Sequence, residues 1–336
     1  MLRFAVIGAG AVAELAYLPA LTGQPAATVD AVVDIDETRA ERVGTAFDAR
    51  VATTRYQDIL KEIDAAIIAT PPSTHAKITR DCLTQDVAVL TEKPVATTSE
   101  EADELVRLAA DRDLPFAISR QLRESPVTRL VRLFTHTGAL GPLEGFSMQY
   151  GDETNWAFAS EYRVRKSLSW GGVLTDKAPH ALDALLWIFG DDVSVDRYED
   201  DSLGGIEANA TVRLSFTDRD IDGALRVTAS RNLPNRLTVR GRDGVISGDP
   251  KDAEVTIRRP NGEESRIQTN DLMSLTDYRI RIAKQTHHFV ESIENHTEPA
   301  APAETGVPVV SLIESCYACR ETRLESWEQD LRSEVN

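Results

Sequence analysis

The residues best suited to do chemistry lie together in one short segment of the second half of the chain. Residues 170–190 read WGGVLTDKAPHALDALLWIFG and place Asp176 four residues before His180 and Asp183 three residues after it. On a helix, a carboxylate at this spacing can fix the tautomer of an imidazole or raise its pKa toward neutrality. His180 could then act as a general base near neutral pH. The alternative is a capping aspartate beside a solvated His–Asp pair.

The element that must position these groups is an amphipathic helix. Pro179 is tolerated in a first turn, where its missing N–H has no partner to lose, so the helix is predicted to begin near Thr175 or Asp176. Gly190 is typical of the residue that follows a helix. The apolar face consists of Leu182, Leu185, Leu186 and Phe189, and the opposite face of Asp176, His180, Asp183 and Trp187. One face therefore packs, and the other presents chemistry.

A nucleotide-binding turn is predicted at the start of the chain. The strand-like run 2–7 is followed at once by GAGAVA and then by a helical run. Gly8 permits a tight turn, Gly10 allows a pyrophosphate to approach the backbone, and Ala13 keeps the helix close to the strand. The phosphates would bind at the helix N-terminus, where N–H groups point outward. The predicted contacts in this turn are Gly8, Gly10, Ala11 and Val12.

The residue that ends the second predicted strand indicates which dinucleotide binds. Asp34 follows the strand Val29–Val33 at the distance from the glycines at which an acid accepts a hydrogen bond from a ribose 2′-hydroxyl. Because a carboxylate there repels a 2′-phosphate, NAD is the predicted cofactor rather than NADP. The alternative role for Asp34 is a turn or capping residue, although Asp36 fits the cap of the next helix better.

Strand and helix patterns alternate as far as residue 118 and predict a parallel sheet with right-handed crossovers. Ligands of such sheets bind beyond the carboxyl ends of the strands, where the segments 70–75 and 91–94 lie. The predicted cofactor contacts in these segments are Thr70, Pro71, Pro72, His75, Glu92 and Lys93. The alternatives are an ordinary turn for the paired prolines and a surface position for Lys93, which is also a candidate catalytic residue.

Composition limits the classes of function. The chain has 336 residues, 42% of them hydrophobic, which is enough for two domains with separate cores. Its formal net charge of −17 argues against nucleic acid and anionic membrane surfaces as partners. No window is long and apolar enough to predict a membrane span.

Cysteine and histidine usage indicates a cytoplasmic protein without a metal site. Cys82, Cys316 and Cys319 are too few for a disulfide framework in a chain of this size, and the N-terminus shows no signal-peptide pattern. The spacing of Cys316 and Cys319 suits redox or zinc chemistry, but burial in a helix is the favoured interpretation. His287, His288 and His296 lack clustered carboxylates or thiols, and no metal ligands are predicted.

Several motifs together resemble the glucose–fructose oxidoreductase / inositol dehydrogenase (Gfo/Idh/MocA) family. They are the glycine turn at 8–13, Thr70-Pro-Pro-x-x-His75, Glu92-Lys93-Pro94, and Gly171-Gly172 leading into Asp176-x-x-x-His180-x-x-Asp183. The resemblance extends over nearly the whole chain. One departure is Ala178, where the family carries glycine, and this puts the identity of the substrate in doubt more than the chemistry.

The resemblance implies a two-domain dehydrogenase. Residues 1–120 would form an NAD-binding Rossmann domain with a doubly wound parallel sheet. Residues 121–336 would form a substrate-binding and oligomerisation domain of the α+β class, with a helix at about 303–325 that could pack back on the first domain. It further implies that Lys93, Asp176 and His180 surround the substrate hydroxyl, that the Lys93–Pro94 bond can be cis, and that homodimers or homotetramers form through the C-terminal sheet.

The second domain itself shows a change of pattern. Alternating runs at 208–216, 221–230, 236–240 and 254–259, separated by turn residues, predict an open and mostly antiparallel sheet. The loop 155–166 mixes aromatic and basic residues and could hold an anionic group of the substrate, although a solvated loop is the alternative. The predicted substrate contacts are Lys93, Arg123, Trp156, Tyr162, Arg163, Lys166, Lys177 and His180.

Taken together, these features predict an NAD-dependent oxidoreductase that acts on a secondary alcohol of a sugar, cyclitol or related polyol. His180 would remove the hydroxyl proton, Asp176 would orient His180, and Lys93 would stabilise the alkoxide or relay the proton. Two alternatives stay open. One is NAD-assisted elimination or hydrolysis of a glycoside, and the other is a regulator that binds a dinucleotide without turnover.

Overall fold

The computed structural model describes residues 1–153, 166–202, 206–232, 234–269 and 276–322. These residues form two compact units. The first unit contains 1–124, 166–170 and 276–311, and the second contains 125–153, 171–202, 206–232, 234–269 and 312–322. The first unit therefore includes the N-terminal part of the chain, to just beyond the predicted boundary at residue 120. It also includes a late segment that ends at residue 311.

The described strands are β1 (Leu2–Ile7), β2 (Ala27–Val33), β3 (Val51–Thr53), β4 (Ala65–Ile68), β5 (Ala88–Thr91), β6 (Phe116–Ile118), β7 (Leu143–Gly151), β8 (Val193–Asp200), β9 (Asn209–Phe216), β10 (Ile221–Thr228), β11 (Arg236–Gly241), β12 (Gly244–Gly248), β13 (Glu254–Arg258), β14 (Glu264–Gln268) and β15 (Arg320–Thr322). The described helices are α1 (Leu18–Thr22), α2 (Glu37–Ala46), α3 (Pro72–Thr84), α4 (Ser99–Asp111), α5 (Pro126–His136), α6 (Lys166–Ser169), α7 (Val173–Asp176), α8 (Ala178–Phe189), α9 (Tyr278–Asn295) and α10 (Gly306–Ala318). A π-helical turn, Ala13–Tyr17, precedes α1. None of these helices is both long and apolar enough to cross a lipid bilayer.

The sheet of the first unit is parallel throughout, with the strand order β3-β2-β1-β4-β5-β6. This is the order of a dinucleotide-binding Rossmann fold, and the fold predicted from the sequence is confirmed. Its central strands are short and apolar, and every residue of β4 and β5 is buried. Strands buried on both faces need helices on both sides, which explains the alternation of strands and helices in the sequence.

The two faces of this sheet are covered by different parts of the chain. Side chains of one face, such as Ile7 and Ile68, pack with residues of α3 and α4. Side chains of the other face, such as Phe4 and Val6, pack with the first helical segment and with α9. The rings of Phe4 and Phe289 meet edge to face, with centroids 6.2 Å apart. A helix from late in the sequence thus completes the core of the N-terminal sheet.

The sheet of the second unit has the order β14-β13-β12-β11-β7-β10-β9-β8-β15. Its strands pair antiparallel except for β7 with β10 and β8 with β15, so the prediction of a mostly antiparallel sheet is confirmed. Helices α5 and α8 pack against one face. There Phe146, Phe189 and Phe216 form a cluster with ring centroids 5.1 to 5.6 Å apart. The cluster holds α8 against β7 and β9.

The segment predicted as a single helix is divided in two. Helix α7 ends at Asp176, Lys177 lies between the helices, and α8 begins at Ala178 with Pro179 in its first turn. The proline explains the break, because it cannot donate the N–H that would continue α7. As predicted, Gly190 follows α8, with a φ of +107° that favours glycine.

Candidate active site

The predicted nucleotide-binding turn has one crowded glycine and one open glycine. Gly8 has a φ of +98°, and a Cβ built on it would lie 2.5 Å from the carbonyl oxygen of Ala69. A Cβ on Gly10 would meet no atom within 4 Å. Gly8 is therefore required by the fold, whereas the space beside Gly10 suits a ligand that must approach the backbone closely. The turn with Ala11 and Val12 thus fits a dinucleotide pyrophosphate.

The helix after this turn begins with a π-helical segment, a rare feature that often occurs at functional sites. It directs Tyr17 into the protein, where the side chain is 1% exposed. The Tyr17 hydroxyl donates a hydrogen bond of 2.6 Å to Oε1 of Glu92. Burial, followed by the nearby Glu92 charge, raises the pKa of Tyr17 well above its ordinary value, so the phenol stays a neutral donor. Sequence reasoning missed Tyr17, because an apolar position on a helix is its only signal.

Asp34 lies at the carboxyl end of β2, with only 8% of its surface exposed. Its Oδ2 accepts a hydrogen bond from the backbone N–H of Ala9 at 2.9 Å, and its Oδ1 accepts one from the backbone N–H of Asp36 at 3.0 Å. Arg39, which sequence reasoning missed, pairs with the same carboxylate at 3.1 Å. Asp36 caps α2 by accepting from the N–H of Arg39. Asp34 thus makes turn contacts and also lies beside the glycine turn, and its ribose contact stays a prediction.

His75 joins the two segments that follow β4 and β5. The side chain is 1% exposed, with Nδ1 2.7 Å from the carbonyl oxygen of Pro94 and Nε2 2.8 Å from that of Thr70. Burial lowers the pKa of His75, and its two carbonyl contacts oppose that shift. A neutral ring donates to only one of the two carbonyls, whereas a protonated ring would donate to both. The described contacts of His75 are with the backbone, and a direct contact with a cofactor stays a prediction.

The segment Glu92-Lys93-Pro94 begins where β5 ends, and the Lys93–Pro94 peptide bond is cis. Besides the Tyr17 hydroxyl, the Glu92 carboxylate accepts the backbone N–H of Lys93 at 3.2 Å. Glu92 and Lys93 are half-buried, and Pro94 is buried. The sequence thus places a carboxylate and an ammonium at the strand end where ligands of this fold bind.

Asp176 and His180 flank the break between α7 and α8. The backbone N–H of Asp176 donates to the carbonyl of Gly172 at 3.0 Å, and that of His180 donates to the carbonyl of Lys177 at 3.3 Å. Asp176, Lys177 and His180 are half-buried, whereas Asp183 is 1% exposed. The predicted division of this segment into an accessible polar face and a buried face agrees with that pattern, except that Asp183 belongs among the buried residues.

The partner of Lys177 is an acid that sequence reasoning missed. Its ammonium contacts the Asp152 carboxylate at 2.5 Å and the Asp152 carbonyl. Lys251 contacts the other oxygen of this carboxylate at 2.7 Å. Partial burial of Asp152 opposes ionisation, but the hydrogen bonds from Lys177 and Lys251 outweigh it, and the pKa of Asp152 lies below its ordinary value. Two lysines around one carboxylate leave this cluster with a net positive charge.

The remaining predicted substrate contacts lie elsewhere in the chain. Arg123 belongs to the first unit and lines a small cavity together with Gln285 and His288. Lys166 begins α6. Trp156, Tyr162 and Arg163 lie outside the described residues. Within the described part of the chain, no cluster of three or more histidine, cysteine, aspartate or glutamate side chains could hold a metal ion.

Comparison with known families accounts for both units. The family model described as "Oxidoreductase family, NAD-binding Rossmann fold" matches residues 2–119, and the one described as "Oxidoreductase family, C-terminal alpha/beta domain" matches residues 153–324. The chain belongs to the Gfo/Idh/MocA oxidoreductase family. It is accordingly an NAD(P)-dependent oxidoreductase.

Some relatives match over nearly the full length of the chain. Inositol 2-dehydrogenase of Rhizobium meliloti (strain 1021) is 22% identical over 323 residues, which cover 93% of this chain and 95% of the relative. Among solved structures, levoglucosan dehydrogenase in complex with NADH and levoglucosan has a TM-score of 0.84 at 18% identity, covering 95% of this chain and 96% of that one. The 3-ketoreductase KijD10 from Actinomadura kijaniata, in complex with NADP and TDP-benzene, has a TM-score of 0.82 at 20% identity, covering 96% and 98%. The fold is shared, whereas the cofactor differs between these two structures.

Proposed function

We propose that the protein transfers hydride between the nicotinamide of NAD and a secondary alcohol of a sugar, cyclitol or related polyol. The observation that carries this proposal is the retention of Lys93 after β5 together with Asp176 and His180 at the junction of α7 and α8. The three side chains combine an ammonium, a carboxylate and an imidazole, which are the groups that alcohol oxidation requires. The names of the relatives, an inositol dehydrogenase and a levoglucosan dehydrogenase among them, support this class of substrate.

Each residue has a separate role in the proposed reaction. His180 removes the hydroxyl proton of the alcohol, and Asp176 holds the imidazole in the orientation that accepts it. Lys93 stabilises the negative charge that develops on the oxygen, or relays the proton. Bound nicotinamide supplies the hydride acceptor, or the hydride donor when a ketone is reduced.

The preference for NAD over NADP is part of the proposal. The nearly buried Asp34 carboxylate would accept the ribose hydroxyl and repel a 2′-phosphate. Arg39 partly offsets that repulsion, because its guanidinium pairs with Asp34 and is 24% exposed. We therefore expect weaker discrimination than an unpaired acid would give. Binding titrations should show tighter binding of NAD than of NADP, and the difference should widen in Arg39→Ala. Tighter binding of NADP by the wild-type protein would refute the preference.

The substrate contacts are also proposed. An anionic substituent on the substrate would suit the positive Lys177–Asp152–Lys251 cluster. Further proposed contacts are Lys93, Arg123, Trp156, Tyr162, Arg163, Lys166 and His180. Sugar acids should therefore be included beside neutral sugars and inositols when substrates are screened.

The test of the proposed function is turnover with a polyol panel. Purified protein, NAD and each candidate alcohol are mixed, and formation of NADH is followed by absorbance. His180→Ala should abolish the activity, whereas His287→Ala, at an exposed histidine of α9, should not. Unchanged turnover in His180→Ala would refute the role of His180. Glycoside cleavage without net NADH, detected by product analysis, would instead favour NAD-assisted elimination or hydrolysis.

We further propose a homodimer or homotetramer formed through the second sheet. The residues of the central strands alternate between buried side chains and exposed polar ones, among them Arg213 and Arg226. The polar face could pair with its copy in another subunit or remain solvated. Light scattering of the purified protein decides between these states, and a monomer at all concentrations would refute the assembly.

A cytoplasmic location is proposed from the thiols. The three cysteines are free, and two of them are buried. Burial raises the pKa of Cys82 to about 12, so this thiol is unreactive at neutral pH. Fractionation of the source cells would test the location.

A further inference from the structure

A buried carboxylate outside the predicted site holds the turn that carries Asp176. Glu207 is 2% exposed. Its Oε1 accepts hydrogen bonds from the backbone N–H groups of Gly172 at 2.9 Å and Leu174 at 3.2 Å. Its own carbonyl oxygen accepts the N–H of Val173 at 2.9 Å. Glu207 therefore supplies acceptors to three successive backbone donors at the start of α7, which would otherwise have no intrahelical partners.

The two glycines of this turn are packed tightly against the same cluster. A Cβ on Gly172 would lie 2.0 Å from the carbonyl oxygen of Glu207, and a Cβ on Gly171 would lie 2.0 Å from the hydroxyl of Tyr317. No larger residue fits at either position without movement of the backbone or of the half-buried Tyr317 ring. The Gly-Gly sequence therefore serves the contact between this turn and Glu207.

Two side chains from the end of the described chain fix the Glu207 carboxylate. The Tyr317 hydroxyl donates to Oε1 at 2.7 Å, and Arg320 donates to Oε2 at 3.1 Å. Arg320 also pairs at 2.5 Å with Asp200, which is fully buried on β8. Burial and the Glu207 charge raise the pKa of Tyr317, which keeps its hydroxyl a donor. The carboxylate is thus fixed in direction and paired with Arg320, a cation that it shares with Asp200.

We propose that Glu207 is a positioning residue for the reaction, and that Tyr317 and Arg320 act through it. Asp176 is the last residue of α7. The N-cap residue Gly172 and the first two residues of this helix donate their N–H groups to Glu207. A shift of this short helix moves Asp176 and the start of α8, which carries His180. Displacements of about 1 Å in catalytic groups can lower a rate by roughly 100-fold. The catalytic part of this inference rests on the proposed function, whereas the structural part does not.

The experiment compares Glu207→Gln, Glu207→Ala and Tyr317→Phe with the wild-type protein. Tyr56→Phe is the matched control, because the Tyr56 hydroxyl also donates to a carboxylate, that of Asp81 at 2.7 Å, but belongs to the first unit. We expect kcat to fall roughly 100-fold in Glu207→Ala, less in Glu207→Gln, which keeps one acceptor oxygen, and about five-fold in Tyr317→Phe. The Kd for NADH should be unchanged, because the predicted nucleotide site lies in the first unit. The acid limb of the pH profile of kcat/KM should move, because Asp176 no longer orients His180 correctly.

Hydrogen–deuterium exchange of the amides 172–176 is the readout that needs no activity. Exchange there should be faster in Glu207→Gln and Tyr317→Phe and unchanged in Tyr56→Phe. If the wild-type protein turns over no polyol, the proposed function fails, and exchange still decides whether Glu207 holds the turn. Wild-type exchange at 172–176 in Glu207→Gln would overturn the inference. A wild-type kcat and a wild-type pH profile in Glu207→Gln would also overturn the inference. If Glu207→Ala does not fold, Glu207→Gln is used in its place.

Discussion

The glycine turns of the two units look alike in sequence but differ in what surrounds them. Gly10 in the first unit faces open space, whereas Gly172 in the second unit lies against the backbone of Glu207. The first glycine is small because a ligand must come close, and the second is small because the protein itself already lies there. A glycine in a functional motif therefore does not by itself indicate a ligand.

Adding one methyl group to each turn tests this difference most directly. In Gly172→Ala the new Cβ would collide with backbone atoms of Glu207, and we expect a loss of about 3 kcal/mol or more of stability. Denaturant unfolding followed by circular dichroism measures it. A stability equal to wild type would show that the turn can move away from Glu207.

The matched change in the first unit is Gly10→Ala. The Cβ enters open space, so the free energy of unfolding should remain near the wild-type value. The affinity for NAD should fall by roughly ten-fold or more, about 1.4 kcal/mol, because the pyrophosphate can no longer approach the backbone. Titration of NADH fluorescence gives the Kd. Unchanged affinity would show that the open space is not used by the cofactor.

Each unit also holds a glutamate beside its chemistry, Glu92 in the first and Glu207 in the second. Tyr17→Phe removes the hydroxyl that donates to Glu92, and one such hydrogen bond contributes about 1 kcal/mol. We expect a decrease of that size in stability and a lower kcat, since the Glu92-Lys93 segment loses a fixed partner. Tyr56→Phe, at a partly exposed tyrosine bonded to Asp81, is the control and should leave kcat unchanged. Equal kcat values in the two variants would contradict a special role for Tyr17.

The pH dependence of stability that Asp152 contributes should be a smaller effect. The lysine pairs lower the pKa of Asp152 in the folded state, so their contribution to stability is present above the unfolded pKa and is lost as the pH falls through the folded one. Because the side chain is 49% exposed, the contribution should be below about 1 kcal/mol. Asp152→Asn should therefore have a slightly lower Tm at neutral pH and a wild-type Tm at about pH 2. If the Tm of Asp152→Asn remained below that of the wild type in acid, the loss would come from packing rather than from charge.

The sequence predicted those features that depend on neighbouring residues. The strand-turn-helix at residues 2–17, the cap at Asp36 and the apolar stripe of α8 are local, and periodicity and residue type are sufficient to predict them. The helix break at Lys177 was not predicted. The pattern indicated that Pro179 lies in the first turn of a helix, but it did not indicate that the residues before Lys177 form a separate short helix.

Contacts between distant residues could not be predicted in the same way. Tyr17 and Glu92 are 75 residues apart, and Tyr317 and Glu207 are 110 apart. Nothing in a single sequence pairs a tyrosine with one particular acid, because the pairing is decided by how the elements pack. For the same reason the helical pattern of α9 gave no indication that it would cover the first sheet.

The contact between Phe4 and Phe289 has a consequence for synthesis. The strands of the first sheet leave the ribosome within the first 118 residues, but α9, which covers one of its faces, is made some 160 residues later. Until then the apolar side chains of that face, Phe4 and Val6 among them, lack part of their cover. Exposed apolar surface on a partly folded parallel sheet favours aggregation. The nucleotide-binding unit therefore completes its folding only after α9 has been made, and a truncated chain that stops before α9 would be the form most in need of a chaperone.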